Sequence, residues 1–188
     1  MKIGISGSIG SGKSTVARYI RDKDYFVFDC DAYNAWLLEF GNEGFNRVWD
    51  YIPEAFIGTY LSKQKLSQII FNDPDKKALL ESLLHPLIIG EMKRLSLEHD
   101  PYFAEVPLLF ECGLEDLFDL TVLVVCDEEK ALNRLKERGI SEEDALRRLR
   151  SQMPVEDKMI RADEIIYNNG ELEDLYREID RILEEYVG

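Results

Sequence analysis

One lysine near the start of the chain is surrounded by glycine and hydroxyl residues. The stretch GISGSIGSGKST, residues 4–15, contains Gly7, Gly12, Lys13 and Ser14 at the spacing GxxxxGKS. Glycines keep side chains off the inner rim of such a loop, so that main-chain N–H groups can surround a polyphosphate. The lysine then reaches the β- and γ-phosphates, and the serine hydroxyl binds Mg²⁺. A glycine-rich turn without a ligand is the alternative, but the motif lies between a predicted strand and a predicted helix, as phosphate binding requires.

Two aspartates follow in the sequence FDCDAY, residues 28–33. Asp29 and Asp31 end the second predicted strand, and the carboxyl ends of parallel strands face the ligand crevice. A kinase needs a carboxylate that accepts the proton of the attacking hydroxyl, and residues two apart on a strand point to the same side. One aspartate would act as this base while the other holds Mg²⁺-bound water. Alternatively, both simply begin a helix at Ala32, as acidic N-caps do.

Five short apolar segments are predicted to be the strands that position these residues. They are rich in β-branched and aromatic residues, as strands covered on both faces are, and they span residues 2–6, 25–29, 102–110, 120–126 and 164–167. Helical patterns separate them: Ser141 begins a capping box, His85-Pro86 predicts a helix with proline in its first turn, and the tail from Leu172 to Tyr186 is apolar at helical spacing. This alternation predicts an α/β fold with a five-stranded parallel sheet and helices on both faces.

The connection between the second and third strands is unusually long. It contains about 70 mostly helical residues, more than a simple crossover needs. We therefore expect residues 32–100 to form a helical subdomain within a single domain that spans residues 1–188. The sequence contains no internal repeat, low-complexity segment or linker rich in Pro, Gly or Ser.

Composition limits the classes of partner. The net charge of −14 argues against a general attraction to nucleic acid or to anionic membrane surfaces. Cys30, Cys112 and Cys126 lie far apart and form no CxxC pair, which favours reduced thiols in a cytoplasmic protein over a redox or metal role. The chain has no signal-peptide pattern, and its longest apolar run is too short to span a bilayer. We expect a soluble protein that binds small molecules, with its oligomeric state left open.

Motifs elsewhere distinguish kinases from other phosphate-binding proteins. The DxxG and NKxD motifs of GTPases and the LSGGQ motif of ABC-type ATPases do not occur. The chain instead resembles the dephospho-CoA kinases from residue 3 to about residue 170. The matching segments are GSIGSGKST (7–15), DCD (29–31), LLHP (83–86), VPLLFE (106–111), RLKER (134–138), Gln152 and ADEIIYNNG (162–170). Many families share the first motif, but the joint occurrence of the others is specific.

The resemblance implies a P-loop kinase that transfers the γ-phosphate of ATP, with Mg²⁺, to the ribose 3′-hydroxyl of dephospho-CoA, the last step of coenzyme A synthesis. It implies a helical acceptor-binding region, here residues 32–100, and a lid, here residues 134–155. Asp31 becomes the base, with Asp29 as its neighbour, and Asn168 lies near adenine. The ATP phosphates are held by Gly10, Ser11, Gly12, Lys13, Ser14 and Thr15.

The lid contributes two candidate arginines. Arg134 and Arg138 would close over the phosphates and stabilise charge on the transferred group. The alternative is a solvated basic face that pairs with nearby glutamates, as most such charge runs do. The positive charge of this segment, within an acidic protein, favours the phosphate-facing interpretation.

Three further residues, His85, Glu111 and Lys63, are candidates for the acceptor site. His85 either contacts the acceptor or only begins a helix. Glu111, predicted to end an apolar strand, faces the crevice or caps the next segment. Ser62 and Lys63 stand where the family usually has an aspartate-arginine pair, and lysine supplies charge without a bidentate fork. This departure leaves two alternatives: a P-loop kinase of another nucleotide, nucleoside or small metabolite, and a nucleotide-dependent switch that transfers no phosphate.

Overall fold

The computed structural model describes residues 1–188, and it contains seven strands and nine α-helices. The strands are β1 (Lys2–Gly7), β2 (Val27–Asp29), β3 (Phe56–Ile57), β4 (Tyr60–Leu61), β5 (Tyr102–Glu105), β6 (Leu120–Val125) and β7 (Glu164–Tyr167). The helices are α1 (Lys13–Asp22), α2 (Cys30–Leu37), α3 (Glu43–Tyr51), α4 (Lys63–Asn72), α5 (Pro74–Leu95), α6 (Glu128–Glu137), α7 (Glu142–Arg150), α8 (Val155–Arg161) and α9 (Leu172–Tyr186). None of these helices is both long and apolar enough to cross a membrane.

The chain divides into two compact units. Met1–Asp29 and Ser96–Gly188 form one, which we call the sheet unit, and Cys30–Leu95 forms the other, the helical unit. The predicted subdomain spans residues 32–100. The helical unit starts two residues earlier than this prediction, at Cys30, and ends five residues earlier, at Leu95. Acceptor binding by this part of the chain stays a prediction.

The sheet unit is built on five parallel strands in the order β2-β5-β1-β6-β7. Their register aligns Asp29 with Glu105, Gly7 with Val124, and Val125 with Tyr167. The carboxyl ends of all five strands therefore lie along one edge, which is where open parallel sheets bind ligands. The predicted five-stranded parallel sheet is confirmed.

The main core lies between one face of the sheet and the helices α1 and α9. Alternate residues of the strands, such as Ile3, Ile5 and Val122, pack there against Val16 and Ile20 of α1. The face of α9 predicted from its apolar spacing completes the core, with the buried residues Leu175, Ile179, Ile182 and Leu183. Burial of one such side chain stabilises a fold by about 1.5–3 kcal/mol, so this contact fixes α1 firmly against the sheet.

The strand predicted over residues 102–110 is wrong beyond residue 105. β5 ends at Glu105, and Pro107 has no N–H for a ladder bond. The following residues form turns, in which the amide of Cys112 donates to the carbonyl of Leu108 at 2.9 Å. They cover the other face of β1, because a Cβ added at Gly4 would lie 2.7 Å from Leu109 Cδ1.

The helical unit has its own core, and it corrects two expectations. Its core consists of Phe45, Val48, Ile52, Ala55, Phe56, Leu61, Leu66, Leu80 and Leu84. Two of these residues come from the β3-β4 hairpin, which the sequence analysis did not predict. The predicted helix start at His85-Pro86 is wrong, because Pro86 lies inside the 22-residue helix α5. Buried residues on both sides of it, Leu84 and Met92, favour a continuous helix despite the missing N–H.

Candidate active site

The loop between β1 and α1 has a backbone that glycine adopts without strain. Gly10 and Gly12 have φ angles of +80° and +100°, in the left-handed region. A Cβ at Gly12 would lie 2.1 Å from Asn168 Nδ2, and one at Gly10 would lie 2.8 Å from the carbonyl oxygen of Ala131. Glycine therefore permits both the turn and its close packing against neighbouring elements. The predicted strand, loop and helix around the GxxxxGKS motif are confirmed.

The first turn of α1 is suited to an anion. The helix begins at Lys13, and its N-cap residue, Gly12, has no side chain that could accept from the leading N–H groups. The Thr15 N–H donates to the Gly12 carbonyl at 2.9 Å. The N–H groups before it have no preceding helical turn to accept from them, and the helix dipole places partial positive charge on them. Lys13 adds a full positive charge at the same point. Phosphate oxygens match this combination of donors and charge.

Glu105 joins the two reactive side chains of the loop. It is the last residue of β5 and is only 4% exposed. Its Oε1 accepts hydrogen bonds from Lys13 Nζ at 2.8 Å and from Ser14 Oγ at 2.7 Å. This shared oxygen holds the ammonium and the hydroxyl side by side at the start of α1. The sequence analysis missed Glu105 because it expected the strand to continue to residue 110.

Arg134 and Asn168 bind the main chain of the same loop. Arg134 Nη1 donates to the carbonyl oxygens of Gly10 and Ser11, both at 3.2 Å, and its Nη2 donates to that of Asn168 at 3.1 Å. Asn168 Nδ2 donates to the Ser11 carbonyl at 2.8 Å. The structure thus brings the residues predicted for the lid and the adenine site to the back of the phosphate loop.

Asp29 and Asp31 lie in different elements. β2 ends at Asp29 and α2 begins at Cys30, so Asp31 occupies the first turn of a helix. The expectation that both side chains project from one strand is therefore wrong, and the helix begins two residues before Ala32. In the sheet unit, Asp29 Oδ2 lies 3.7 Å from Arg21 Nη2. Asp31 is an exposed residue of the helical unit.

Glu111 does not end a strand, contrary to expectation. It lies in the turns after β5, and its Oε1 is 2.6 Å from Lys158 Nζ. The same oxygen accepts from the Met153 amide at 3.3 Å. Gln152, the neighbouring residue, accepts from the amide of Ile9 in the phosphate loop at 3.0 Å.

The other candidates lie apart from the loop in sequence. Lys63 is the first residue of α4, where Ser62 Oγ accepts from the Lys65 amide at 3.2 Å and so caps the helix. His85 is a half-buried residue of α5. Both belong to the helical unit, as Asp31 does. Arg138 is the exposed C-cap residue of α6, one turn beyond Arg134. Their roles stay predictions.

Cys126 lies beneath the phosphate loop, with its Sγ 3.7 Å from the Gly10 carbonyl oxygen. Burial is the main cause that raises the pKa of this thiol. The thiol therefore stays protonated at neutral pH and packs as a small apolar group.

Comparison with known proteins identifies the family. The sequence model of dephospho-CoA kinase matches residues 1–174. The chain belongs to the dephospho-CoA kinase family. A dephospho-CoA kinase of Thermus thermophilus is 41% identical over 191 residues, which cover 99% of this chain and 92% of that protein.

Solved structures agree with this membership of the dephospho-CoA kinase family. A crystal structure from T. thermophilus has a TM-score of 0.87 and 41% identity, and the match covers 100% of this chain and 98% of the other. The dephospho-CoA kinase from Campylobacter jejuni has a TM-score of 0.70 and 26% identity, covering 98% and 97%. The chain thus has the P-loop kinase fold, and it is a transferase that phosphorylates dephospho-CoA with ATP to give coenzyme A.

Proposed function

We propose that the loop of residues 10–15 binds the phosphates of ATP for transfer to the ribose 3′-hydroxyl of dephospho-CoA. The observation that carries this proposal is the convergence of Lys13 and Ser14 on Glu105 Oε1 at the start of α1. A lysine, a hydroxyl and the leading amides of a helix are the groups that a nucleoside triphosphate requires. Gly10, Ser11, Gly12 and Thr15 supply the remaining main chain of this site.

Lys13 supports transfer of the phosphoryl group. Its ammonium donates to oxygens of the β- and γ-phosphates, where negative charge accumulates as the γ-phosphoryl group leaves ADP. The ion pair with Glu105 limits the movement of the ammonium. Solvent competes little with this pair, because the side chains of Lys13 and Glu105 are only 12% and 5% exposed. Arg138 of the lid approaches the transferred group, while Arg134 supports the loop from behind through the carbonyls of Gly10 and Ser11.

The residues around Ser14 suit Mg²⁺. Its hydroxyl and the Glu105 carboxylate place hard oxygen donors 2.7 Å apart, and Mg²⁺ prefers oxygen ligands. No group of three or more His, Cys, Asp or Glu side chains forms a metal site of its own. Ser14 Oγ and the Glu105 carboxylate would hold Mg²⁺ that arrives with ATP, because one or two protein oxygens are enough when phosphate and water supply the other ligands. When bound, it neutralises charge on the β- and γ-phosphates.

Asp31 acts as the general base for the acceptor. Its carboxylate accepts the proton of the 3′-hydroxyl while the 3′-oxygen bonds to the γ-phosphorus and the bond from that phosphorus to the β,γ-bridging oxygen breaks, which releases ADP. Asp29, two residues earlier in the chain, contributes to binding of the acceptor. Lys63, His85 and the other residues of the helical unit bind the acceptor. Cys30, Cys112 and Cys126 form no disulfide, which is typical of a reducing compartment, so we place the reaction in the cytoplasm.

The Asp31→Asn variant tests the base. We expect kcat to fall by roughly 10²-fold or more, because the amide cannot accept the proton, while the KM for ATP is unchanged. ADP release in a coupled assay, with dephospho-CoA and a panel of nucleosides, nucleotides and small metabolites, measures both the rate and the choice of acceptor.

A matched control is Asp24→Asn, at an exposed turn residue with a φ of 65°, a conformation that asparagine also adopts. Asp24→Asn should keep full activity. A larger loss in Asp29→Asn than in Asp31→Asn would move the base to Asp29. Turnover of another acceptor in preference to dephospho-CoA would contradict the proposed substrate, and ATP hydrolysis that ignores every acceptor would indicate a switch.

A further inference from the structure

Lys158 is a charged residue in an unusual place. It is 0% exposed, and no other lysine or arginine of the chain is buried. Its Nζ lies 2.6 Å from Glu111 Oε1, and the side chain of Glu111 is 18% exposed. Burying an ammonium group is unfavourable unless a carboxylate compensates its charge, so each member of this pair depends on the other. Neither ATP nor acceptor binding, as proposed above, uses Lys158.

The pair is bonded to the connection between α7 and α8. Glu111 Oε1 also accepts from the Met153 amide at 3.3 Å, while its Oε2 is buried and has no hydrogen-bond partner. Lys158 lies on α8, just beyond this connection. Glu111 therefore contacts this region at two points: it accepts a hydrogen bond from the Met153 amide, and it forms an ion pair with Lys158, whose Nζ makes no hydrogen bond.

The same connection reaches the phosphate loop. Gln152 precedes Met153, and its Oε1 accepts from the amide of Ile9 at 3.0 Å. Ile9 lies between Ser8 and Gly10. In the sequence of the loop it comes before the residues whose carbonyls accept from Arg134. Gln152 thus fixes the first half of the loop, and Arg134 and Asn168 fix the second half.

We propose that Glu111 and Lys158 are positioning residues for ATP: they place Gln152 so that it holds the phosphate loop at Ile9. This assignment replaces acceptor binding as the role of Glu111, and it rests on the proposed binding of ATP phosphates by the loop. A loop without this bond samples more conformations, and ATP then has to select the competent one, which raises its apparent dissociation constant. Dephospho-CoA binding does not depend on the bond.

The first test compares the Michaelis constants of the two substrates in Gln152→Ala and Glu111→Gln. Loss of one net hydrogen bond corresponds to a change of about fivefold, so we expect the KM for ATP to rise by about that factor in each variant. The KM for dephospho-CoA should not change. The opposite result for Glu111→Gln, with only the KM for dephospho-CoA raised, would overturn the proposal and restore an acceptor role.

The second test asks whether Glu111 acts through Gln152. We expect Glu111→Gln to leave the KM for ATP unchanged when Gln152→Ala is already present, although the thermal midpoint still falls. If Glu111→Gln raised the KM for ATP by the same factor in the Gln152→Ala background as in the wild type, the pair would not act through Gln152. The pair would then be merely structural, and the proposal would fail. Glu156→Gln, at an exposed acidic residue of the same helix as Lys158, is the matched control and should change neither quantity.

Lys158→Met by itself leaves the Glu111 carboxylate unpaired, as Glu111→Gln leaves the Lys158 charge uncompensated, so both single variants should have a lower thermal midpoint than the wild type. The double variant Glu111→Leu/Lys158→Met removes both charges, so it should fold and show the ATP defect of Gln152→Ala. A folded double variant with the wild-type KM for ATP would contradict the proposal. Lys13→Ala distinguishes a failure of the positioning role of Glu111 and Lys158 from a failure of the proposed ATP site. An unchanged KM for ATP in Lys13→Ala would contradict the ATP site itself.

Discussion

Lys13 and Ser14 share a single carboxylate oxygen, and this arrangement could be predicted only in part. The spacing GxxxxGKS identifies the lysine and the serine, because glycine and hydroxyl residues have few other reasons to occur together before a helix. Glu105 carries no comparable local pattern. It stands inside an apolar run, and only the alignment of β5 with β1, which pairs it with Ile5, brings it to the loop. The strand predicted over residues 102–110 instead makes Glu111 the candidate at the end of the strand.

The residue-scale prediction concerns the charge of Lys13. Lys13→Ala should raise the KM for ATP and lower kcat, together by at least 10²-fold in kcat/KM, because the ammonium contacts phosphates in the ground state and the transition state. Initial rates at varied ATP concentrations measure both constants.

Lys23→Ala is the control for Lys13→Ala. Lys23 lies at the opposite end of the same helix, and its Nζ pairs with Asp180 at 2.7 Å. Its hydrogen bond to Asp180 raises the pKa of Lys23, so this group is charged at neutral pH. Wild-type kinetics in a folded Lys13→Ala protein would contradict the ATP site.

At the scale of elements, periodicity predicted most of the fold. β7 matches its predicted range, α9 covers the predicted tail, and Ser141 is the N-cap of α7, with its Oγ accepting from the Asp144 amide at 3.2 Å. The errors occur where distant contacts outweigh a local signal. Pro86 continues a helix because residues on both sides of it are buried, and the β3-β4 hairpin is too short to show an alternating pattern.

The element-scale prediction concerns the turn between β1 and α1. Gly12→Ala should weaken ATP binding at least tenfold and lower the thermal midpoint. An alanine in the left-handed conformation costs about 1–2 kcal/mol, and its Cβ would collide with Asn168 Nδ2. Isothermal titration with ATP and thermal unfolding measure the two effects.

Gly90→Ala provides a control of opposite sign for this substitution. Gly90 lies within α5, and a Cβ there meets no atom within 4 Å. Alanine is the better helix former by about 0.5–1 kcal/mol, so Gly90→Ala should raise the thermal midpoint. If Gly12→Ala bound ATP with wild-type affinity, the turn would not be part of the phosphate site.

At the scale of the whole molecule, the last strand and the last helix are joined by a charged contact. Glu164 of β7 accepts from Arg181 Nη2 and from the Tyr186 hydroxyl, both at 2.7 Å. The Arg181 bond is the larger of the causes that lower the pKa of Glu164, and the bond to Glu164 raises the pKa of Tyr186 to about 12. The charged carboxylate therefore stabilises the folded state.

The prediction at this scale is a pH dependence of stability. The Glu164 contribution is fully present above the ordinary glutamate pKa of about 4.3 and is lost as the pH falls through the lower folded-state value. Glu164→Gln should lower the thermal midpoint by about 2–4 °C at pH 7, the shift for roughly 1 kcal/mol after screening by solvent. The difference should shrink near pH 3.

Calorimetry at both pH values measures this difference. Glu184→Gln, at an exposed residue of α9, should match the wild type throughout. A deficit in Glu164→Gln that is the same at pH 3 and pH 7 would mean that packing, and not charge, joins β7 to α9.

The helical unit is one uninterrupted stretch, Cys30–Leu95, and it contributes no strand to the five-stranded sheet. All five parallel strands therefore lie outside this stretch. Recombination or gene design can replace the stretch without changing the sequence of any of these strands. Such an exchange keeps Lys13, Ser14 and Glu105 but removes Asp31, so the inserted sequence has to supply a carboxylate at the position of the proposed base.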